Sequence, residues 1–206
     1  MKHKNLILKG LLFITLLGAC SYGPDPSYLN EINAYRANLN REFADTTTSP
    51  LTPEGLAIFK GLDFFPVDEM YRVEARFVLN PDPEPFEMVT TTARRPIYVK
   101  YGIAYFTLGG KDLMLEIYQS EKAKVIEELK DYLFLPFMDL TNGVSSYGGG
   151  RFLDLKIPEG NTIIIDFNKA YNPYCAYNHR YSCPVPPEAN HLNIEIPVGV
   201  KAYDGH

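Results

Sequence analysis

The sequence predicts a mainly antiparallel β domain of the α+β class, either a barrel or a sandwich, with two helices at its N-terminus. Helical spacing of apolar residues is confined to the start of the chain, and strict alternation of apolar and polar residues begins at Tyr71. Turn-forming residues separate the strand-like runs that follow, which is typical of antiparallel sheets. The 206 residues are 46% hydrophobic and 22% charged, so we expect one folded domain and exclude a disordered or coiled-coil protein.

The first 19 residues have the features of a bacterial lipoprotein signal peptide. A lysine-rich start precedes an apolar run over residues 10–17, which is far shorter than the ~20 residues of a spanning helix. The tetrapeptide Leu17-Gly18-Ala19-Cys20 resembles the lipobox. We therefore expect an acylated Cys20, a lipidated tether over residues 20–26 and a single β-rich domain over residues 27–206. Ordinary secretion with Cys20 as a free thiol is the alternative.

The charge of the mature chain bears on its partners and its location. Three of the 20 basic residues and none of the 25 acidic residues lie in the first 19 positions, so the mature chain has a formal charge of −8. An acidic chain is repelled by nucleic acid and by anionic membrane surfaces, so we expect no nucleic-acid partner and a membrane contact through the lipid alone. Ser21 resembles the residue that follows the cysteine in lipoproteins sent to the outer membrane. The predicted location is the bacterial cell envelope, with the protein anchored in the outer membrane and facing the periplasm.

Two helices are predicted before the strands. Asp25 and Pro26 have the types of an N-cap and a first helical residue, and the helix is expected to end near Phe43. Its apolar residues recur at helical spacing: Ile32, Tyr35, Leu39 and Phe43. A second, shorter helix is expected from Thr52 to about Phe59.

The strand pattern is clearest over residues 71–79, where apolar and polar side chains alternate. Gly109 to Asp112 are predicted to form a hairpin turn. No internal repeat and no second domain are predicted. Further strands are expected at residues 86–92, 96–100, 104–108, 113–118, 132–137, 151–157, 162–168 and 191–198.

The unusual polar residues are concentrated between Asp139 and His191. This part contains Ser-Tyr-Gly-Gly-Gly-Arg (146–151), Asp-Phe-Asn-Lys-Ala-Tyr-Asn-Pro-Tyr-Cys-Ala-Tyr (166–177) and Ser-Cys-Pro-Val-Pro-Pro-Glu-Ala-Asn (182–190). With Phe-Thr-Leu-Gly-Gly and Leu-Pro-Phe-Met-Asp-Leu-Thr-Asn-Gly upstream, these motifs resemble a bacterial and archaeal family known as domain of unknown function 1684. The resemblance covers nearly all of the mature chain. It implies no activity, so the functional argument depends on the residues themselves.

Three consecutive glycines precede Arg151, namely Gly148, Gly149 and Gly150. Glycine N–H groups can form an anion-binding nest, and the arginine can bind a carboxylate or phosphate through two hydrogen bonds. However, residues 151–155 have a strand pattern, whereas a phosphate loop usually leads into a helix. A bulge or a close approach of two backbones is therefore the alternative.

Arg151 shares its strand face with the apolar residues Leu153 and Leu155, so we expect a carboxylate beside it. Asp139 and Asp166 are the candidates. Such a pair either closes one end of the sheet as a structural element or belongs to a functional site.

A second group of polar residues follows the strand that ends near Asp166. Asp166 and Asn168 project on one face, and the tyrosines nearby offer flat apolar surfaces together with hydroxyl groups. Bracing of the loop by these side chains is the alternative. The complete candidate ligand-binding set is Asp139, Tyr147, Gly148, Gly149, Gly150, Arg151, Asp166, Asn168, Tyr171 and Asn172.

Two cysteines remain if Cys20 is acylated, and an even pair in an exported protein favours a disulfide between Cys175 and Cys183. Zinc bound by both cysteines with His179 and His191 is an alternative, although the spacing matches no common zinc pattern. A catalytic thiolate at Cys175 is another. No metal and no cofactor are expected.

The leading hypothesis is a lipid-anchored module that binds a polar or anionic small molecule. A hydrolase is the alternative, with Asp166 or Asp139 as the base and Arg151 with the amides of residues 148–151 stabilising an oxyanion. A structural envelope protein without a ligand is the third hypothesis. A tyrosine-lined cleft favours binding, whereas a closed and fully paired Arg–Asp network favours a structural role.

Overall fold

Across residues 23–203, seven strands form one antiparallel sheet that curves into a half-barrel. In the computed structural model, which describes residues 23–203, the strands are β1 (Arg72–Leu79), β2 (Pro85–Glu87), β3 (Ile97–Leu108), β4 (Lys111–Ser120), β5 (Tyr132–Phe137), β6 (Arg151–Lys156) and β7 (Thr162–Asp166). The order across the sheet is β6-β5-β4-β3-β1-β7, and β2 pairs with β3 beside this path. The predicted class, mainly antiparallel β within α+β, is confirmed. The strands belong to a single sheet and are not divided between the two sheets of a sandwich.

Helical segments accompany the sheet. Helix α1 spans Pro26–Ala44, α2 spans Pro53–Ile58 and α3 spans Glu121–Lys124. The carboxylate of Asp25 caps α1 by accepting the backbone N–H groups of Ser27 and Tyr28. The predicted signal peptide, Cys20 and part of the tether lie outside the described residues. Within residues 23–203, no helix combines the length and the apolar character needed to cross a bilayer.

The main core lies on one face of the sheet. Alternate residues of β5 (Leu133, Leu135 and Phe137) point to this face, together with Leu153 of β6. The opposite face of the same strands contributes Phe134 and Phe152 to a separate apolar cluster. Both faces of β5 and β6 therefore pack against other parts of the chain.

Two predicted strands form one long strand. The predicted runs 96–100 and 104–108 are continuous in β3, and the pairing register with β4 shifts between Lys100 and Gly102. A Cβ atom on Gly102 would lie 2.5 Å from the ring of Phe77 on β1. Glycine therefore permits the close approach at this irregularity, so the strand continues through it.

The predicted strand 86–92 is reduced to β2, because the chain leaves the sheet after Glu87.

The predicted strand over residues 191–198 is wrong. This segment makes no ladder, and its polar backbone atoms are bound by separate partners. The N–H of Leu140 donates to the carbonyl of Ile194, and the N–H of Ile196 donates to Asp139 Oδ1. The apolar pattern of this segment reflects core burial of Leu192, Ile196 and Val198 and not strand pairing.

One buried ion pair joins three parts of the chain. Arg151 begins β6 and Asp139 follows β5, and Arg151 Nη2 lies 2.7 Å from Asp139 Oδ2 with both side chains fully buried. The guanidinium also donates to the carbonyls of Ile196 (2.7 Å) and Val198. Asp139 Oδ1 accepts the hydroxyl of Thr141 at 2.6 Å. Because both charges are hydrogen-bonded, the pair can persist without water.

We predict that breaking this pair destabilises the fold strongly. Arg151→Met leaves the Asp139 carboxylate buried without its counter-ion and should lower the free energy of unfolding by about 3–5 kcal/mol. The measurement is urea unfolding followed by circular dichroism. Lys156→Met on the same strand is the matched control, because Lys156 pairs with Asp131 at an exposed position.

The control should change stability far less than Arg151→Met. Equal effects of the two substitutions would show that the buried pair contributes nothing beyond a surface contact.

Candidate functional site

A cleft of about 540 Å³ lies on the sheet face opposite the main core. The sheet contributes one part of its lining from β3, β5 and β6, and α1 and the segment 171–184 contribute the rest. Volumes of this size are typical of small-molecule sites. Nine aromatic side chains line it: Tyr35, Phe43, Tyr98, Tyr132, Phe134, Phe152, Tyr171, Tyr174 and Tyr181.

The sheet side of the cleft and Tyr171 together form a continuous aromatic surface. The ring centroids of Tyr98 and Phe134 are 5.8 Å apart, those of Phe134 and Phe152 are 4.8 Å apart, and those of Phe152 and Tyr171 are 6.0 Å apart. These distances are within the range of favourable aromatic pairs, so the surface is held by its own packing.

Helix α1 and the loop that follows β7 supply a second aromatic group. Tyr174 packs at 5.2 Å from Tyr181 and at 6.3 Å from Phe43, measured between ring centroids. The hydroxyl of Tyr35 donates to the carbonyl of Lys169, which ties α1 to the loop. The helix, the loop and the sheet therefore position the cleft together.

Asp154 is the central polar group of the cleft. The hydroxyl of Tyr132 donates to Asp154 Oδ1 at 2.7 Å, and the hydroxyl of Tyr171 donates to the same oxygen at 2.6 Å. Burial, followed by the charge of Asp154, raises the pKa of both tyrosines well above the ordinary value. The two hydroxyls therefore stay protonated and fix the carboxylate, whose Oδ2 has no such donor among the described residues.

The charge of the lining is negative. Asp154 and Glu42 both line the cleft, and the lining residues within 23–203 include no lysine, arginine or histidine. Such a site suits a ligand that donates hydrogen bonds and presents flat or apolar surfaces to the rings.

The structure places Arg151 and Asp139 away from this cleft. Their mutual ion pair and their bonds to the 196–198 carbonyls occupy both side chains inside the protein. Burial lowers the pKa of Arg151, and the charge of Asp139 opposes this change. A fully buried guanidinium is not available to an anionic ligand or to an oxyanion.

The three predicted glycines make close backbone contacts. Gly150 has φ of +88°, and a Cβ atom on it would lie 2.6 Å from Pro186 and 2.8 Å from the carbonyl oxygen of Phe137. A Cβ atom on Gly149 would lie 2.5 Å from the ring of Tyr147. Gly148 approaches the backbone of Gly143. The contacts of Gly148 and Gly150 are close approaches of two backbones, as in the alternative, whereas Gly149 approaches a side chain.

Asp166, Asn168 and Asn172 brace the loop in the structure. Asp166 Oδ1 accepts the hydroxyl of Tyr28 at 2.9 Å, and its other oxygen is buried without a partner among the described residues. Asn168 exchanges two hydrogen bonds with the backbone of Asp68, at 2.9 and 2.8 Å. Asn172 donates to the carbonyl of Lys201. These contacts fix α1, Asp68 and the backbone at Lys201 near the end of β7.

Of the ten candidate binding residues, Tyr171 alone lines the cleft. Tyr147 lies beside a cysteine instead, with its hydroxyl 3.9 Å from Cys175 Sγ. The sequence reasoning missed Asp154 and Tyr132. Aromatic residues on both faces of β5 were the available signal, because a face that is open to solvent does not need them.

The predicted disulfide is not present, because Cys175 and Cys183 are free thiols. The backbone N–H of Cys175 donates to Cys183 Sγ at 3.0 Å, so the loop brings the two residues together as a hydrogen-bonded pair. The hydrogen bond with Cys183 lowers the pKa of Cys175 to about 7.

The described residues contain no group of three or more side chains arranged to hold a metal ion, as the zinc alternative required.

Comparisons with known proteins place the chain in a family but assign no activity. A solution NMR structure of an uncharacterised protein from gene locus rrnAC0354 of Haloarcula marismortui has 33% sequence identity and a TM-score of 0.66. The similarity covers 85% of this chain and 94% of that one. No match is found among the curated proteins. The family described as "Protein of unknown function (DUF1684)" matches residues 57–201, and the chain therefore belongs to the DUF1684 family.

Proposed function

We propose that this protein binds a small polar molecule in the tyrosine-lined cleft, and that a lipid on Cys20 anchors it in the outer membrane, facing the periplasm. The observation that supports binding is the carboxylate of Asp154, which the hydroxyls of two half-buried tyrosines hold inside an open aromatic cleft. Positioning a polar group before the ligand arrives reduces the entropy cost of binding.

The charge of the lining narrows the class of ligand that the sequence suggested. With Asp154 and Glu42 in the cleft and no basic side chain in its described lining, a neutral or cationic ligand is favoured over an anionic one. The hydrolase hypothesis depended on Arg151 as an oxyanion donor. A guanidinium that is fully buried against Asp139 does not support that role.

The lipid anchor is proposed from the Leu-Gly-Ala-Cys motif that ends at Cys20. Helix α1 begins only six residues after Cys20, so an anchored domain would lie next to the bilayer surface. Two or more acyl chains would hold it stably, whereas the negative charge of the protein would not.

We predict that ligand binding requires Asp154. A panel of sugars, amino acids, polyamines and nucleosides is screened by saturation-transfer difference NMR. Ligands that bind the wild-type protein should bind Asp154→Asn at least about 10-fold more weakly, because a hydrogen bond to a charged group is lost. Tyr171→Phe should weaken binding less, since Tyr132 still holds the carboxylate.

Lys156→Gln is the control, because Lys156 lies two residues from Asp154 on the same strand but does not line the cleft. Binding by no compound of the panel, or equal binding by wild type and Asp154→Asn, contradicts the proposal.

We predict that Cys20→Ala abolishes incorporation of an alkyne-labelled fatty acid and releases the protein from the membrane fraction. Ser21→Ala is the matched control and should keep both properties. Ser21→Asp should move the protein to the inner-membrane fraction, because aspartate after the acylated cysteine resembles a retention signal. Labelling that persists in Cys20→Ala would place the lipid elsewhere and refute the anchor.

A further inference from the structure

The aromatic cleft has the composition of a site for an organic cation. Resting on the proposed function of this cleft, we propose that its ligand carries a positively charged nitrogen, as an ammonium or quaternary ammonium group. The combination that supports this is a fixed carboxylate at Asp154, a second carboxylate at Glu42 and the surrounding tyrosine and phenylalanine rings.

The rings contribute through their electrostatics. The face of an aromatic ring is the negative end of its quadrupole, and a cation within about 6 Å of the ring centroid is attracted to it. The cleft presents such rings next to Asp154, including Phe152 on the same strand and Tyr171, whose ring centroid lies 6.0 Å from that of Phe152. A ligand nitrogen beside Asp154 would therefore meet a carboxylate and aromatic rings together.

One ring at this site already binds a cation. The guanidinium of Arg180 lies 4.8 Å from the ring centroid of Tyr181 and donates to its hydroxyl at 2.7 Å. Arg94 donates to the carbonyl of Ser182. Neither arginine lines the cleft, and both guanidiniums are held by these neighbours, so Asp154 and Glu42 are the charged side chains of its described lining.

The hydrogen-bonding state of Asp154 also suits an ammonium donor. Both tyrosine hydroxyls reach Oδ1, which leaves Oδ2 as the acceptor for a ligand N–H. The described residues contain no group of three or more His, Cys, Asp or Glu side chains that could hold a metal ion, and the cleft of about 540 Å³ is lined mainly by aromatic rings. The volume and the aromatic lining therefore suit an organic cation.

The test compares cations with uncharged analogues of the same shape. Choline is compared with 3,3-dimethylbutan-1-ol, and 1,4-diaminobutane with 1,4-butanediol. Binding to the complete protein in mild detergent is measured by NMR titration at neutral pH. We expect at least one cation to bind, with an affinity at least 10-fold higher than that of its uncharged analogue.

Substitutions test whether the carboxylates of the cleft cause the preference for the cation. Asp154→Asn should remove the preference for the cation, because the loss of the carboxylate charge weakens binding of the cation more than binding of the analogue. Glu42→Gln, at an exposed position on α1, should reduce the preference without affecting the fold. Glu127→Gln is the control, since it removes one carboxylate that does not line the cleft. Circular dichroism confirms that each variant is folded.

The outcomes distinguish failure of the cationic-ligand inference from failure of the proposed function. Equal binding of cation and analogue, or no binding of either cation up to 50 mM, overturns the inference. If neutral compounds of the wider panel still bind in an Asp154-dependent way, the proposed function stands and the cationic ligand alone is refuted. If no compound of any charge binds, both proposals fail.

Discussion

The buried ion pair between Arg151 and Asp139 is the interaction on which the rest of the structure depends. It connects the start of β6 with the turn after β5, and the two Nη groups of Arg151 also donate to the carbonyls of Val198 and Ile196 in the irregular segment 196–198. That segment completes the main core without forming a strand. Since two charges are costly to bury without partners, the pair tolerates little change in the position of these three parts. β5 and β6 are fixed at the end where the pair lies.

The cleft follows from the way the same two strands use their opposite faces. One face of β5 and β6 completes the main core, and the other presents Tyr132, Phe134, Phe152 and Asp154. Helix α1 and the loop after β7 pack near this second face and leave a cavity between themselves and the sheet. Thus the ion pair that stabilises the core also positions the strands that form the candidate binding site. Apart from Tyr171, the candidate residues suggested by the loop motifs lie outside the cleft, and the outer face of the sheet forms part of its lining.

Much of the fold was predictable because local patterns report it. Alternation over residues 71–79 predicted β1, and the glycines at 109 and 110 predicted the turn between β3 and β4. Arg151 lies on the same strand face as Leu153, and this position predicted a buried arginine with an aspartate partner. The same patterns misled over residues 191–198, because burial alone gives an apolar repeat. They also misled at Cys175 and Cys183, which are close together but remain thiols.

The sequence by itself determined the antiparallel α+β class, the family resemblance and the burial of Arg151. These properties depend on side-chain periodicity and on motifs that are local in the chain. Only the tertiary structure decided that Asp139 and not Asp166 pairs with the arginine, and that Tyr132 and Tyr171 converge on one oxygen of Asp154. The alternation of side chains along a strand shows on which face each side chain lies, but it does not show what covers that face. The covering elements come from distant parts of the chain, so the cavity exists only once α1, the sheet and the 171–184 segment have packed together.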